Sequence, residues 1–380
     1  MKKKIIFWQN IPSIHQSALI RNLASLNYVQ VSLVTAEDVP VRRREMGWHC
    51  PDFGKAELLV SPSQAEIDQL LHRDEKNTMH IFSGMRAYPF VKGAFRRACK
   101  TDACISFIAE IPRFQGIKGI LRKIVYTLDA YRYRRRIECI FAIGRKAPDW
   151  FNSCGYPATK IYPFAYFVEA PKVLIPENVM RGPGGRCRIS FIGSLVRGKG
   201  VDLLLKVLAR LPEGISWQLT IIGDGPERVV LEQLRDKLGL SSFVTFSGSL
   251  PNAKAMVQLA GCDLLVLPSR YDGWGAVVSE SLMLGVPVIC SDDCGASVLV
   301  DGSKRGSTFV TNSQHHLLEV LYKWLSKGPL TDNLRESNKA WADMHISGIV
   351  AAKYFLGIIE HVYGDGEKPH TPWMAHDDKL

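Results

Sequence analysis

No run of apolar residues in this 380-residue chain approaches the roughly 20 that a membrane-spanning helix requires; Ile5-Ile6-Phe7-Trp8 stops at once in Gln9-Asn10. The same brevity argues against a secretory leader, although Lys2-Lys3-Lys4 would pass for its basic start. The chain also lacks a C-x-x-C pair. Its nine cysteines are scattered and odd in number, which speaks against a zinc or disulfide framework and predicts a reducing, cytoplasmic setting. No strand-like segment is followed by Gly-x-Gly-x-x-Gly with an acid about twenty residues on, so a nicotinamide dehydrogenase is disfavoured. There is no repeat of solenoid period, and neither an RNP-type nor a helix-turn-helix signature is present.

What is there is a globular composition, 46% hydrophobic, 22% charged and 9% aromatic. The length suggests two domains of roughly 150–200 residues each. The net charge of +11 is unevenly placed: residues 1–168 carry 26 Lys and Arg against 14 Asp and Glu, and residues 169–380 carry 22 against 23. A basic half of this kind points to an anionic surface, nucleic acid or acidic lipid, with solvated faces as the plainer alternative.

Short apolar runs alternate with amphipathic segments throughout. Lys4–Trp8, Val29–Thr35, Met79–Phe82 and Ala103–Ala109 read as buried strands, and Gln16–Leu26, Gln64–Leu71, Pro89–Cys99 and Lys118–Arg135 as helices. The second half repeats the rhythm from Arg188–Ile192 to Val286–Cys290. Strand-then-helix alternation predicts an α/β fold of two doubly wound, parallel-sheet domains. Domain boundaries are set at 1–168, a Pro- and Gly-rich linker at 169–187, a second domain at 188–335, helices at 336–365 that pack back toward the first domain, and a polar tail at 366–380.

Three strand-to-helix turns in the second half carry chemistry. Phe191-Ile-Gly193-Ser194-Leu-Val-Arg197-Gly198-Lys199-Gly200 combines glycines, two cations and a helix start, the outline of a phosphate site. It is not a Walker A loop, because Gly-Lys is followed by Gly200-Val201. Ile222-Gly223-Asp224-Gly225-Pro226 reads mainly as architecture. The third, Leu264 to Ile289, ends a strand at Pro268-Ser269, presents Asp272 in a glycine-bracketed loop, and opens a helix near Gly275 with Glu280 about one turn inside. A carboxylate so placed can accept two hydrogen bonds from a vicinal diol, while the first amides of the helix hold a phosphate or sugar oxygen. A nucleotide sugar offers those groups.

These segments resemble the donor-binding domain of retaining GT-B glycosyltransferases, the "glycosyl transferases group 1" or family four class. The likeness runs from Ile189 to about Gly302 and includes Lys199-Gly200-Val201-Asp202, Gly223-Asp224-Gly225-Pro226-Glu227, Val244-x-Phe246-x-Gly248, Asp263 to Ser269, Asp272 with Glu280 eight positions on, and Gly285-x-Pro287. The resemblance implies two Rossmann-like domains facing a cleft, transfer of a hexose from a nucleotide diphosphate sugar, and no cofactor or metal. A UDP-sugar is expected over a GDP-sugar. The acceptor is expected to be a glycan or lipid-linked molecule of bacterial surface polysaccharide (O-antigen, capsule or lipopolysaccharide), with no nucleic acid partner. It assigns Lys199, with Arg197, to the donor diphosphate, Glu280 to the nucleotide ribose and Asp272 to the donor sugar. Gly193, Ser194, Gly225, Gly248, Gly273, Trp274, Gly275, Ala276 and Val277 would line the donor. Ser194 stands where the class usually has Arg, Asp272 where it usually has Glu, and Asn10-Ile-Pro-Ser-Ile-His15 where it usually has a Gly-Gly pair. A GT-B nucleotide-sugar epimerase and a basic nucleic-acid-binding protein are the alternatives.

In the first half, His15 and His80 are candidates for the histidine near the donor sugar, and Glu110 for acceptor contact. Gly116 to Arg136 mixes an apolar stripe, Ile120, Ile124, Leu128 and Tyr131, with Lys and Arg. That suits a helix lying on an anionic inner membrane face as well as a core helix packed on its own sheet.

Overall fold

A computed structural model describes residues 3–45, 49–72, 77–114, 116–171 and 185–374. Its contacts divide the chain into two units. One comprises the residues up to Val168 together with the segment from Ile346 onward; the other runs from Glu169 to His345.

The first unit is built on seven strands: β1 Lys3–Gln9, β2 Val29–Thr35, β3 Glu57–Val60, β4 Thr78–Ser83, β5 Cys104–Glu110, β6 Ile137–Ile143 and β7 Ile161–Phe164. They lie in the order β3-β2-β1-β4-β5-β6-β7, and every pair is parallel. Strands covered by helices on both faces must be apolar on both, which is why β6 reads Ile-Glu-Cys-Ile-Phe-Ala-Ile with almost every position buried. The second unit has β8 Cys187–Ile192, β9 Trp217–Ile222, β10 Val244–Gly248, β11 Leu264–Leu267, β12 Val288–Ser291 and β13 Gly306–Phe309. These are also all parallel, in the order β10-β9-β8-β11-β12-β13. Both orders reverse direction once, between β1 and β4 and between β8 and β11. In open α/β sheets that switch point leaves a crevice beyond the carboxyl ends of the strands, where ligands bind.

The chain re-enters the first unit later than the 336 boundary predicts. The helix Asp332–Ile346 stays with the second unit, where Arg335 donates to the carbonyls of Ala260, Cys262 and Leu284. The next helix, Gly348–Tyr363, belongs to the first: Phe355 stacks on Phe141 at 4.8 Å and meets Phe7 at 6.0 Å. At the crossing Val168 donates its N–H to the Ile346 carbonyl at 3.1 Å and bridges to Ser347. The segment expected as a loose tail is instead docked through Lys368 over the Tyr162 ring and through buried Trp373 against Phe167 and Tyr354; residues 375–380 lie outside the described residues. Most of the expected linker, 172–184, also lies outside them.

The helix Gly116–Tyr133, which connects β5 to β6, is not a core helix of ordinary pattern. Its buried residues are Gly119, Asp129 and Ala130, while Ile117, Ile120, Leu121, Ile124, Leu128 and Tyr131 are 52% to 81% exposed. At about 100° per residue those six fall within roughly 100° of arc, on the side opposite the sheet. Part of the basic excess is spent on partners within the unit. Asp129 is paired bidentately with Arg86, Arg97 with Asp68, and Arg136 donates to the Thr101 and Ala103 carbonyls. Lys118, Arg122, Lys123 and Arg132 remain exposed on this helix, and Arg134 and Arg135 just beyond it.

Candidate functional site

The switch point of the second unit gathers most of the predicted donor residues. The carboxyl ends of β8, β9 and β10 finish in adjacent glycines: Gly193 donates its N–H to the Ile222 carbonyl, and Gly223 donates to the Gly248 carbonyl at 2.8 Å. The Lys199 turn is drawn against the end of β11, because Gly200 adopts φ +71° and a Cβ there would lie 2.0 Å from the Pro268 carbonyl oxygen. Only glycine tolerates both the backbone angle and the approach. Gly275, at φ +86°, caps the helix Ala276–Met283 under the same constraint, with Cys294 Sγ 2.7 Å from a notional Cβ. The helix opens on the switch point; Val278 turns its N–H back to the Gly275 carbonyl at 2.8 Å, and Ala276 and Val277 precede that bond at the helix start.

Lys199 Nζ donates to Asp272 Oδ2 at 2.5 Å, both side chains being mostly buried. Asp272 is fixed from behind: its N–H donates to the Asp293 carbonyl, and its own carbonyl accepts from Gly295. Glu280, one turn inside the helix, is only partly exposed and accepts a hydrogen bond from Asn252. Burial pushes its carboxyl up to about 7, against the opposing effect of that hydrogen bond. A carboxyl desolvated to this degree at a switch point is a candidate functional group.

Arg270 is the residue that sequence reasoning missed. Its N–H donates to the Gly198 carbonyl at 2.7 Å and its guanidinium to the Arg197 carbonyl at 2.6 Å. The guanidinium also grips Asp202 bidentately, at 2.8 and 2.9 Å. The turn that carries Lys199 is therefore tied on both sides to the β11 loop. Burial raises the Asp202 carboxyl, but Arg270 outweighs it and holds the group below the usual range. A legible signal existed: Asp202 and Arg270 are opposite charges in two turns that both present chemistry.

Other predicted residues fall elsewhere. Arg197 and Ser194 are exposed at the rim of the turn. Trp274 is 1% exposed, donates Nε1–H to Ser279 Oγ, and spends its carbonyl on Ala296, so its ring is core rather than a donor-facing surface. Gly225 is a packing glycine, with no room for a Cβ beside the Leu195 carbonyl. Gly273, Ala276 and Val277 are partly exposed in the loop and first turn beside Asp272.

In the first unit, His80 is fully buried within β4, accepts a hydrogen bond from Trp8 Nε1 at 3.1 Å and stacks on that indole; it cannot line a site. The apolar neighbours that made Met79–Phe82 read as a strand bury the histidine as well. His15 sits in the first turn of the helix Ile14–Ala24, stacked on Tyr166 at 5.0 Å. It lines a cavity of about 370 Å³ at the β1/β4 switch point, together with Asn10, Arg86, Glu110, Tyr126 and Tyr166. Gln9 and Gln16, both buried, hold the β1 loop there: Gln9 accepts from the Ser13 N–H and donates to Gln16, which donates to Ser83. Among the described residues no group of three or more His, Cys, Asp or Glu is arranged to hold a metal ion, and no helix is long and apolar enough to cross a membrane.

Two parallel-sheet units of this kind, one with a phosphate-type turn and a half-buried carboxylate at its switch point, define a GT-B fold. Residues 181–341 match the family described as glycosyl transferases group 1. Among curated relatives, the chain is 26% identical over 238 residues to alpha-D-kanosaminyltransferase of Streptomyces kanamyceticus, covering 60% of this chain and 59% of that protein. It is 32% identical over 155 residues to lipopolysaccharide glucosyltransferase WaaG of Escherichia coli (strain K12), covering 40% and 41%. The chain thus spans less than two thirds of the length of these curated relatives. Over nearly its whole length the fold is similar to that of Anabaena Alr3699/HepE in complex with UDP, with a TM-score of 0.72, 15% identity, and 95% and 100% of the two chains covered.

Proposed function

We propose that this protein is a retaining glycosyltransferase that moves a hexose from a nucleotide diphosphate sugar to a glycan or lipid-linked acceptor in surface polysaccharide synthesis. The observation that carries the reading is the β8/β11 switch point, where Lys199, glycine-ended strands, an open helix N-terminus and a desolvated Glu280 meet. The diphosphate lies against Lys199 and the first turn of Ala276–Met283, Glu280 accepts from the ribose diol, and Asp272 meets the hexose. The bond from the anomeric carbon to the diphosphate oxygen breaks. The acceptor oxygen bonds to the same face of that carbon, and its proton passes to the departing phosphate. A uridine nucleotide is the favoured donor, in keeping with the UDP held by the structural relative. The names of relatives such as the lipopolysaccharide glucosyltransferase support the surface-polysaccharide setting.

Thermal unfolding against a panel of nucleotide sugars tests the donor. At one hundred times Kd the preferred donor adds about 2.7 kcal/mol, a rise of roughly 5–10 °C for a unit of this size. A panel in which no nucleotide sugar raises the midpoint above the buffer control removes the reading.

The Arg270 clamp has its own expected result. Arg270→Ala frees the Lys199 turn and lowers affinity for a nucleoside diphosphate about tenfold, with little change for the nucleoside alone. Arg270→Lys does not restore it, since an ammonium cannot make the bidentate contact to Asp202. Equal losses for both ligands in a competition titration would show that Arg270 acts on the fold at large.

The exposed stripe of Gly116–Tyr133, flanked by cations, supports peripheral binding to an anionic inner membrane face. Co-sedimentation with phosphatidylglycerol-containing vesicles is expected at low salt and falls as screening shortens to about 3 Å at 1 M. Recovery that is equal with neutral vesicles contradicts it.

A further inference from the structure

Lys199 and Asp272 lie 73 residues apart in sequence and share one hydrogen bond, and both loops that carry them are anchored. Asp272 is pinned by its main chain: its N–H donates to the Asp293 carbonyl at 3.2 Å, its carbonyl accepts from Gly295 at 2.9 Å, and it forms a bridge with Cys294. The Lys199 turn is wedged against β11 by Gly200 and tied there by Arg270. With side chains only 25% and 13% exposed, water screens the pair weakly. A phosphate oxygen bonded to Lys199 Nζ at the usual length of about 2.8 Å therefore lies at most about 5.3 Å from Asp272 Oδ2, since Nζ and Oδ2 are themselves 2.5 Å apart. The lysine attracts a phosphate, and the carboxylate beside it repels the same group.

The nucleotides on the two sides of sugar transfer differ in charge at that position. In the nucleotide sugar the terminal phosphate is esterified and singly charged, and the hexose beside it carries hydroxyls that donate to a carboxylate. When the sugar leaves, that phosphate takes the proton of the acceptor hydroxyl; above about pH 6 it gives the proton up to water and carries about −2. We infer that Asp272 is a specificity-determining residue that favours the nucleotide sugar over the nucleoside diphosphate, so that the site expels the product of its own reaction. The inference rests on the donor reading given above and deepens it. The three donors of an ammonium let Lys199 hold a phosphate without releasing Asp272. Lys199 is thus already neutralised by its neighbour when the product gains its extra charge, and the pair as a whole offers that charge no net attraction. Like charges brought this close lower affinity, whereas hydroxyl donors in the same place raise it. Product release limits turnover in many enzymes, and a built-in repulsion shortens that step.

The test compares the full chain with Asp272→Asn, which keeps the size of the side chain and an oxygen for Lys199 while removing the charge, and with Asp272→Ser, which repeats the comparison without an amide. Calorimetric titration at pH 8 uses UDP, uridine, and UDP-glucose, UDP-galactose and UDP-N-acetylglucosamine, of which the tightest serves as the donor. The expected result is a Kd for UDP about tenfold lower in both variants, with uridine bound as in wild type and the preference for the donor over UDP reduced at least tenfold. Inhibition of transfer by added UDP strengthens in parallel. A preference that is unchanged, or that falls only because the donor binds more weakly, overturns the inference and leaves the donor site standing. UDP affinity that is undiminished by Lys199→Ala overturns the donor reading itself, and the inference with it.

Discussion

Replacing Lys199 by alanine is expected to lower sugar transfer roughly 30- to 1,000-fold, the equivalent of about 2–4 kcal/mol of transition-state stabilisation. The leaving diphosphate gains charge as the glycosidic bond breaks, and Lys199 is the cation that the β8 turn delivers to the switch point. Its present partner, Asp272, is held by the loop after β12 and stays in place when the lysine is removed. The fold therefore survives, and the loss falls on the rate. Single-turnover kinetics with the preferred donor separate this from weakened binding: the chemical step slows more than the donor Kd rises. Near-normal turnover would remove Lys199 from the donor site.

Glu280→Gln is expected to stabilise the protein while reducing nucleotide affinity about 30-fold. The wild-type carboxyl titrates near 7 in the folded chain, above its ordinary value of 4.5. Between those values the folded state binds the proton that the unfolded state has released. Stability therefore falls as pH rises through the interval, and the cost is complete above 7. Glutamine carries no charge at any pH. The variant should gain about 2 kcal/mol over wild type at pH 8 and almost nothing at pH 4. Nucleotide binding runs the other way, because the ionised carboxylate is the better acceptor for a diol: wild-type affinity should rise between pH 6 and 8, with a proton released on binding. Calorimetry in buffers of differing ionisation enthalpy reads both. A pH-independent affinity, or a glutamine variant that binds as wild type does, would place Glu280 outside the ribose site.

Much of the fold was legible because a parallel sheet demands buried, nearly continuous apolar runs, and β1, β2, β4, β8, β9 and β11 are such runs bounded by turn residues. β3, β6, β7 and β13 escaped, and for two of them the cause is local. β3 is an edge strand with Glu57 and Leu58 exposed, and β6 begins directly after Tyr133-Arg-Arg-Arg136, where the charge run masks its start. At the candidate site, Lys199, Asp272 and Glu280 could be named from glycine punctuation and from a carboxylate amid apolar neighbours. The Arg270–Asp202 clamp could not be paired from spacing alone, since the partners are 68 residues apart. His80 and Trp274 failed for a common reason: both sit in apolar segments, and the burial that defines those segments encloses the polar side chain too. The helix Gly116–Tyr133 shows the opposite limit. Its apolar periodicity reports that one face is unlike the rest, and only the structure reveals that this face points away from the sheet.

The crossing at Val168 and Ser347 gives the chain the architecture of a host with a guest. The two points where the second unit leaves and rejoins the first are hydrogen-bonded neighbours, and the sheet core of the host is completed by Phe355 from beyond the guest. Cutting the chain at 345 would strip that core, whereas excising 169–345 and joining Val168 to Ile346 through a short loop would leave the host's hydrophobic contacts intact. The second unit is in this sense a cassette: one guest can be exchanged for another at two adjacent scars without unpicking the sheet core of the host.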